Sequence, residues 1–270
     1  MNARLLALLC LACLPCAAPA QLETFNEQPI VEGKDVIWVP TPDAAVDRML
    51  LIARVTPNDL VVDLGSGDGK IVIAAAKRFG ARARGYEFSP DLVETSRRNA
   101  RIDGVADRAR FVQGDMFDVD FRDATVVTLY LLTSLNLKLL PKLLEMRPGT
   151  RVVSHVFRMC DWEPDESTRT GSSDIHLWVV PAKVAGRWLV EVRDAPPFEV
   201  GLEQRYQRVT GKVLAGGSRA PLLQGVRLAG GEIRLALAGA GGERTLAGRV
   251  NGDRIEGAAG GWSAVRLRPD

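Results

Sequence analysis

Asp63-Leu64-Gly65-Ser66-Gly67-Asp68-Gly69 lies between an apolar run, Leu60-Val61-Val62, and an alanine-rich stretch, Ile71 to Phe79. The first flank reads as a buried strand and the second as a helix, with Gly80 placed as its left-handed C-cap. A strand that passes through a glycine-rich turn into a helix opens an α/β unit. Glycines at alternate positions let the backbone turn sharply and come close to a ligand. A side chain at any of them would block that approach or forbid the required φ.

The same rhythm continues along the chain. Ala83 to Glu87 reads as a second strand, followed by Ser89 as N-cap and Pro90 as first residue of a helix through Ile102. Arg110-Phe111-Val112 forms a third strand running to Asp115, and Thr125 to Tyr130 a fourth. Leu135 to Met146 is helical, with Pro141 expected to bend or break it, and Pro148-Gly149 stops it. Thr150 to Phe157 reads as a fifth strand. Ile175 to Val180 and Trp188 to Val192 read as a closing hairpin, an antiparallel edge to an otherwise parallel sheet. This predicts an α/β fold, a Rossmann-like seven-stranded sheet with helices on both faces.

Near Glu199 the composition changes. From Gly211 the helical period vanishes, Ile233, Leu235 and Leu237 alternate with Glu232, Arg234 and Ala236, and Asn251-Gly252 is a favoured hairpin turn. Five or six short strands in an up-and-down meander, closed by Trp262 to Arg268, are expected, with Leu246 and Trp262 in the core. The chain thus divides into residues 1–20, 21–198 and 199–270, the last a small all-β domain.

Residues 1–20 have their own character. Met1 to Arg4 form a short cationic start, Leu5 to Leu14 are continuously apolar, and Ala18-Pro19-Ala20 is a small-x-small site before Gln21. This is the layout of a signal peptide, too short for a comfortable membrane span. It implies an exported, periplasmic protein with no stable span after cleavage; a misassigned start would make it cytoplasmic. Three of the four cysteines fall in this leader, which leaves Cys160 and excludes an internal disulfide or a multi-cysteine metal site. His155 and His176 are too few for a histidine-rich zinc site, so no metal is expected. A net charge of +2, with scattered basic residues, gives no reason to expect nucleic acid as a partner.

The glycine-rich turn departs from the dinucleotide pattern. That pattern is G-x-G-x-x-G, whereas here the spacing is G-x-G-x-G with Lys70 following. Asp63 and Asp68 would repel a pyrophosphate but attract the α-ammonium of a methionine moiety. Glu87 ends the second strand, where a carboxylate can accept both ribose hydroxyls. Asp115 ends the third, where it can accept from an adenine amino group. All lie at C-terminal strand ends, the ligand crevice of open α/β sheets. Taken singly, each of these carboxylates is equally well read as an ordinary strand-end or cap residue.

In this order and spacing, from about Val39 to Val192, the residues resemble the motifs of class I S-adenosylmethionine (SAM)-dependent methyltransferases. Val39-Pro40-Thr41-Pro42 before a helix, DLGSGDG at 63–69, Tyr130-Leu131-Leu132 and Gly149 to His155 are similar to a narrower family. These are the seven-strand protein-lysine methyltransferases that include the enzymes of the ATP synthase c-subunit and the adenine nucleotide translocase. The resemblance implies SAM as cofactor, held by Thr41, Pro42, Asp63, Gly65, Ser66, Gly67, Gly69, Glu87 and Asp115. Thr41-Pro42 also reads as a plain helix cap. Tyr130, just after strand four, is the candidate acceptor-side and catalytic residue, ahead of Asn136 and His155; a histidine within a strand is more often a packed, hydrogen-bonded residue. The expected function is methyl transfer to a protein lysine amine. The alternatives are a small-molecule methyltransferase and a non-catalytic SAM- or nucleoside-binding module. The β-rich tail lies outside the resemblance, and the oligomeric state is not read from the sequence.

Overall fold

Strand β1 (Leu60–Leu64) is buried along almost its whole length and lies in the interior of a seven-stranded sheet, third from one edge. The computed structural model describes residues 38–216, 220–239, 242–258 and 260–268; the expected signal peptide lies outside them. Helix α1 (Asp43–Ile52) precedes β1, and α2 (Lys70–Phe79), β2 (Arg82–Glu87), α3 (Pro90–Ile102), β3 (Ala109–Gln113) and β4 (Val126–Leu129) follow it. Then come α4 (Thr133–Leu144), β5 (Arg151–His155), β6 (Glu166–Thr170) and β7 (Ser173–Val179). The sheet order is β3-β2-β1-β4-β5-β7-β6. The first five strands are parallel, while β7 runs antiparallel to both β5 and β6.

Local signals set most boundaries. Ser89 caps α3 by accepting from the Leu92 amide, with Pro90 at the first helical position, and Gly80 ends α2 in the left-handed conformation. Helix α4 runs as a single helix through Pro141 rather than breaking there. Apolar residues fill both faces of the sheet. Val61, Ala83 and Phe111 pack with α1, α2 and α3 on one side, and Val62, Leu64, Val127 and Leu129 pack with α4 on the other.

One strand assignment needs correction. Trp188–Val192 does not form the sheet's antiparallel edge, which is β6. The sequence of β6, Glu-Ser-Thr-Arg-Thr, is polar throughout because this edge strand buries neither face fully. Trp188, Val190 and Val192 instead lie on β8 (Gly186–Val192), the first strand of a second sheet. The change of sheet therefore falls between Val179 and Gly186, earlier than the shift in composition near Glu199.

The second sheet continues with β9 (Phe198–Arg205), β10 (Arg208–Ala215), β11 (Leu222–Ala229), β12 (Glu232–Gly239), β13 (Gly242–Asn251), β14 (Arg254–Gly257) and β15 (Trp262–Leu267). It has eight strands, in the order β10-β9-β8-β15-β14-β13-β12-β11. Its two edges, β10 and β11, lie side by side, so the meander curls into a barrel. Trp188, Val200, Leu202, Ile233, Leu235, Leu246 and Trp262 occupy its buried core. The expected meander is present: the end of β10 and the whole of β11 to β15 lie beyond Gly211, and the sheet also takes in β8 and β9 before it.

At the N-terminal ends of the parallel strands one polar cluster ties three elements together. Asp59 accepts from Thr125 Oγ1 (2.7 Å), the Thr56 amide (2.8 Å) and Thr56 Oγ1 (2.9 Å), and it pairs with Arg151. Arg151 also donates to the Ala53 carbonyl beyond α1, at 2.7 Å. Burial alone would push the Asp59 carboxyl up; the hydrogen bonds and the guanidinium outweigh it and hold it below its ordinary value. Asp59→Ala leaves a half-buried guanidinium without its counter-charge and should cost about 3 kcal/mol of unfolding free energy. Urea denaturation measures this; a loss under about 1 kcal/mol would mean that solvent screens the pair.

Candidate cofactor and acceptor site

Parallel pairing brings the C-terminal ends of β1, β2 and β3 side by side, and with them Asp63, Glu87 and Asp115. Asp63 is 3% exposed and accepts a 2.7 Å hydrogen bond from Thr128 Oγ1 of β4. Its burial, reinforced by the nearby charges of Glu87 and Asp68, pushes its carboxyl up to about 7 despite the Thr128 bond. Glu87 is held from both sides. One oxygen accepts from the Gly67 amide and the other from the Ser89 amide, each at 2.9 Å. Asp115 accepts from the Phe117 amide at 2.8 Å, a local turn that uses Oδ1.

The loop between these carboxylates depends on glycine. Gly65, Gly67 and Gly69 all have positive φ (77°, 53° and 85°). A Cβ on Gly69 would sit 2.6 Å from the Phe111 ring. The Gly65 and Ser66 amides donate to the Tyr86 carbonyl, at 2.9 and 3.0 Å, and Asn99 of α3 donates to the Asp68 carbonyl at 3.0 Å. The Ser66 hydroxyl is buried against Gly85 and has no partner among the described residues. Lys70 pairs with Asp43 at 3.2 Å, which joins the start of α1 to the end of the loop and sets Thr41 and Pro42 near it. Thr41 is buried but does not cap α1; Pro42 holds the N-cap position, without a side-chain bond.

This donor set fits SAM. Three carboxylates and a glycine loop suit a cationic amino-acid end and a hydroxylated ribose, while a pyrophosphate would meet repulsion. Asp63 would hold the ammonium, Glu87 the ribose and Asp115 the adenine. When bound, SAM supplies an electrophilic methyl group on a positively charged sulfur.

Beyond β4 lies an aromatic wall. The Tyr130 ring packs 4.1 Å from that of His155 and 6.2 Å from that of Phe157 (centroid distances). The neighbouring Leu131 side chain lies against Gly65, which places the wall next to the glycine loop. His155 is 2% exposed, and neither ring nitrogen has a hydrogen-bond partner among the described residues. The expectation of a packed, hydrogen-bonded histidine is therefore half right: it is packed but not bonded. Burial pushes its pKa down to about 4, so the imidazole is neutral at physiological pH. Asn136, fully buried on α4, reaches the Phe157 carbonyl at 3.4 Å while its Oδ1 has no partner among the described residues.

The chain turns sharply after His155. Val156 has φ 66°, and the Phe157 amide donates back to the His155 carbonyl at 2.8 Å, a γ-turn centred on a β-branched residue. Such a conformation costs about 1–3 kcal/mol and must be held by its surroundings. The Val156 amide donates to the Asp174 carbonyl (2.7 Å) and Ser154 Oγ to the Phe157 carbonyl (2.6 Å). Farther along the segment the barrel takes part. Gln207, in the β9–β10 turn, accepts from Trp162 Nε1 (3.0 Å) and donates to the Glu163 carbonyl (2.7 Å). Tyr206 stacks on Trp162 and donates to Asp161 at 2.9 Å. Sequence reading missed this brace, because neither partner carries a recognisable motif.

Known proteins resemble this chain over part of its length. Residues 63–166 match the family model described as the ANTKMT methyltransferase domain. The chain is 44% identical over 151 residues to a protein-lysine N-methyltransferase of Saccharolobus islandicus, a match covering 54% of this chain and 94% of that protein. The chain belongs to the protein-lysine N-methyltransferase family. The mouse lysine N-methyltransferase of the ATP synthase c-subunit is 36% identical, with 54% of this chain and 59% of that enzyme covered. A crystal structure of an RNA methyltransferase from Salinibacter ruber with S-adenosyl-L-homocysteine is 52% identical, with a TM-score of 0.53 over 54% of this chain and 96% of that one. The protein is a SAM-dependent methyltransferase, and the family-model match lies within the α/β domain.

Two outcomes are expected of this methyltransferase. The folded-state pKa of Asp63 lies above the ordinary 3.8, so its contribution to stability is fully present below that value and lost as pH rises through 7. Meeting a cationic ammonium requires the ionised form, so SAM affinity should rise from about pH 5.5 to about pH 7.5. Asp63→Asn should remove that rise and weaken binding roughly ten-fold or more, as read by calorimetry; an unchanged pH profile would show that Asp63 does not meet the ammonium. Secondly, Gln207→Ala should speed hydrogen exchange of amides 156–165 by about ten-fold with SAM affinity unchanged. Unchanged exchange would show that the segment does not need the brace.

Proposed function

We propose that the protein methylates the ε-amine of lysine in a protein substrate, with Tyr130 orienting the amine. The observation that carries this reading is the uncharged aromatic wall beside the carboxylate-lined crevice, in particular the neutral His155 against Tyr130. A lysine side chain arrives as a cation and must become a neutral amine before it can act as a nucleophile. Aromatic rings attract the cation through their faces, and the low-dielectric wall favours loss of its proton. A charged imidazole at position 155 would repel the incoming ammonium, and burial prevents that charge. The names of the Saccharolobus and mouse relatives support the same acceptor. The leader-like residues 1–20 further support an exported enzyme that meets envelope proteins.

The test is incubation of the protein with methyl-labelled SAM, envelope proteins and, separately, RNA. Label should enter protein and be recovered as methyl-lysine after hydrolysis. Tyr130→Phe should lower turnover by roughly ten-fold while leaving SAM affinity intact, since only acceptor alignment is disturbed. The name of the Salinibacter ruber structure makes RNA the second acceptor class to examine. Label entering RNA or only small molecules would overturn the lysine reading. Tight SAM binding with no transfer to any acceptor would mark a non-catalytic binding module.

A further inference from the structure

The sheet face that packs against α4 is left open at its lower end. β3 runs into β4 through residues 114–125 without a helix, so the N-terminal halves of β2 and β3 are uncovered on that side. Arg82 and Arg84 alternate with the buried Ala83 on β2, and Arg110 lies between the buried Ala109 and Phe111 on β3. Arg84 and Arg110 are directly opposite in the parallel ladder. Like charges side by side on one sheet face are destabilising unless an anion meets them. These arginines, with Arg108 and Arg147, line a cleft of about 530 Å³ at the end of the sheet remote from the glycine loop.

Protein carboxylates neutralise only part of this charge. Asp123 pairs with Arg84 at 3.1 Å and Asp107 with Arg108 at 3.6 Å. Arg151, close by, is paired with Asp59. The side chains of Arg82, Arg110 and Arg147 make no hydrogen bond or ion pair among the described residues. Three uncompensated guanidiniums therefore face one concave site whose lining also includes Asn58 and the two paired carboxylates, Asp107 and Asp123. Among the described residues no aromatic ring lines it on which a base could stack.

We propose that this cleft binds a compact phosphate-bearing polyanion, recognised by the guanidinium forks of Arg82, Arg110 and Arg147. Guanidinium geometry matches phosphate oxygens two at a time, and the cleft has the volume of a small-ligand site, too small for a folded partner. The site is separate from the cofactor crevice, so its ligand and SAM bind together.

Calorimetric titration of the purified protein with inorganic tripolyphosphate tests this. Saturable one-to-one binding is expected, weakening as salt is raised from about 50 mM to about 0.5 M. The double variant Arg110→Gln, Arg147→Gln should bind roughly ten-fold or more weakly, with SAM affinity unchanged as proof of folding. Arg147→Gln alone, outside the sheet, gives a smaller loss should the double variant misfold. Arg254→Gln on the barrel serves as control and should change nothing. Vesicles containing phosphatidylglycerol form a parallel arm: arginine-dependent sedimentation with them, beside weaker tripolyphosphate binding, places the phosphate on a lipid headgroup. Absence of saturable binding in both arms, binding equal in wild type and double variant, or a preference for polyglutamate over tripolyphosphate would overturn the proposal.

Discussion

The hydrogen bond from Thr128 Oγ1 to Asp63 joins β1 to β4 where both strands end, and it supports a carboxylate that the interior otherwise disfavours. Burial and two neighbouring carboxylates raise its pKa to about 7. The sheet keeps it in place because apolar side chains fill both faces of β1 and leave the strand no freedom to withdraw. The rest of the crevice is arranged around that fixed end. Glu87 is oriented by amides of the glycine loop and of the α3 N-cap, and the loop is anchored to Tyr86 and Asn99. A cationic ligand would relieve the electrostatic cost that this cluster of carboxylates creates, whereas a pyrophosphate would meet repulsion.

At the aromatic wall the governing constraint is backbone strain. The γ-turn at Val156 brings Phe157 back alongside Tyr130 and His155, and a β-branched residue does not adopt it unaided. Hydrogen bonds from β7 and from within the turn hold its start. The barrel holds the segment farther on, with Tyr206 and Gln207 gripping Trp162, itself fully buried. The barrel core is filled by its own side chains. Its visible contact with this segment is the β9–β10 turn, whose Tyr206 and Gln207 bond and stack against residues 161–163.

Where signals were local, the sequence was legible. Ser89-Pro90 and Gly80 carried their caps, and DLGSGDG carried its strand–loop–helix transition and left-handed glycines. Glu87 and Asp115 stand at or just past strand ends, as expected, because position along each strand is enough to place a residue in a parallel sheet. Thr41 was misread as a cap, since its sequence neighbours suit one and only the backbone path shows that Pro42 takes the position. Strand β6 was passed over because an edge strand with two wet faces has no apolar period. Trp188–Val192 was given to the wrong sheet because an inward-facing strand of a barrel and one of an open sheet share the same alternation.

The sequence by itself determined the cofactor chemistry and the α/β architecture, because both rest on residue types at short, regular spacing. Tertiary structure decided what depends on distant segments meeting. It left His155 buried without a hydrogen-bond partner among the described residues, brought Gln207 onto Trp162 across 45 residues of chain, and gathered arginines from β2, β3 and the loop before β5 into one cleft. Charge, burial and hydrogen bonding at those places are sums over neighbours, and only the folded packing fixes which neighbours a side chain has.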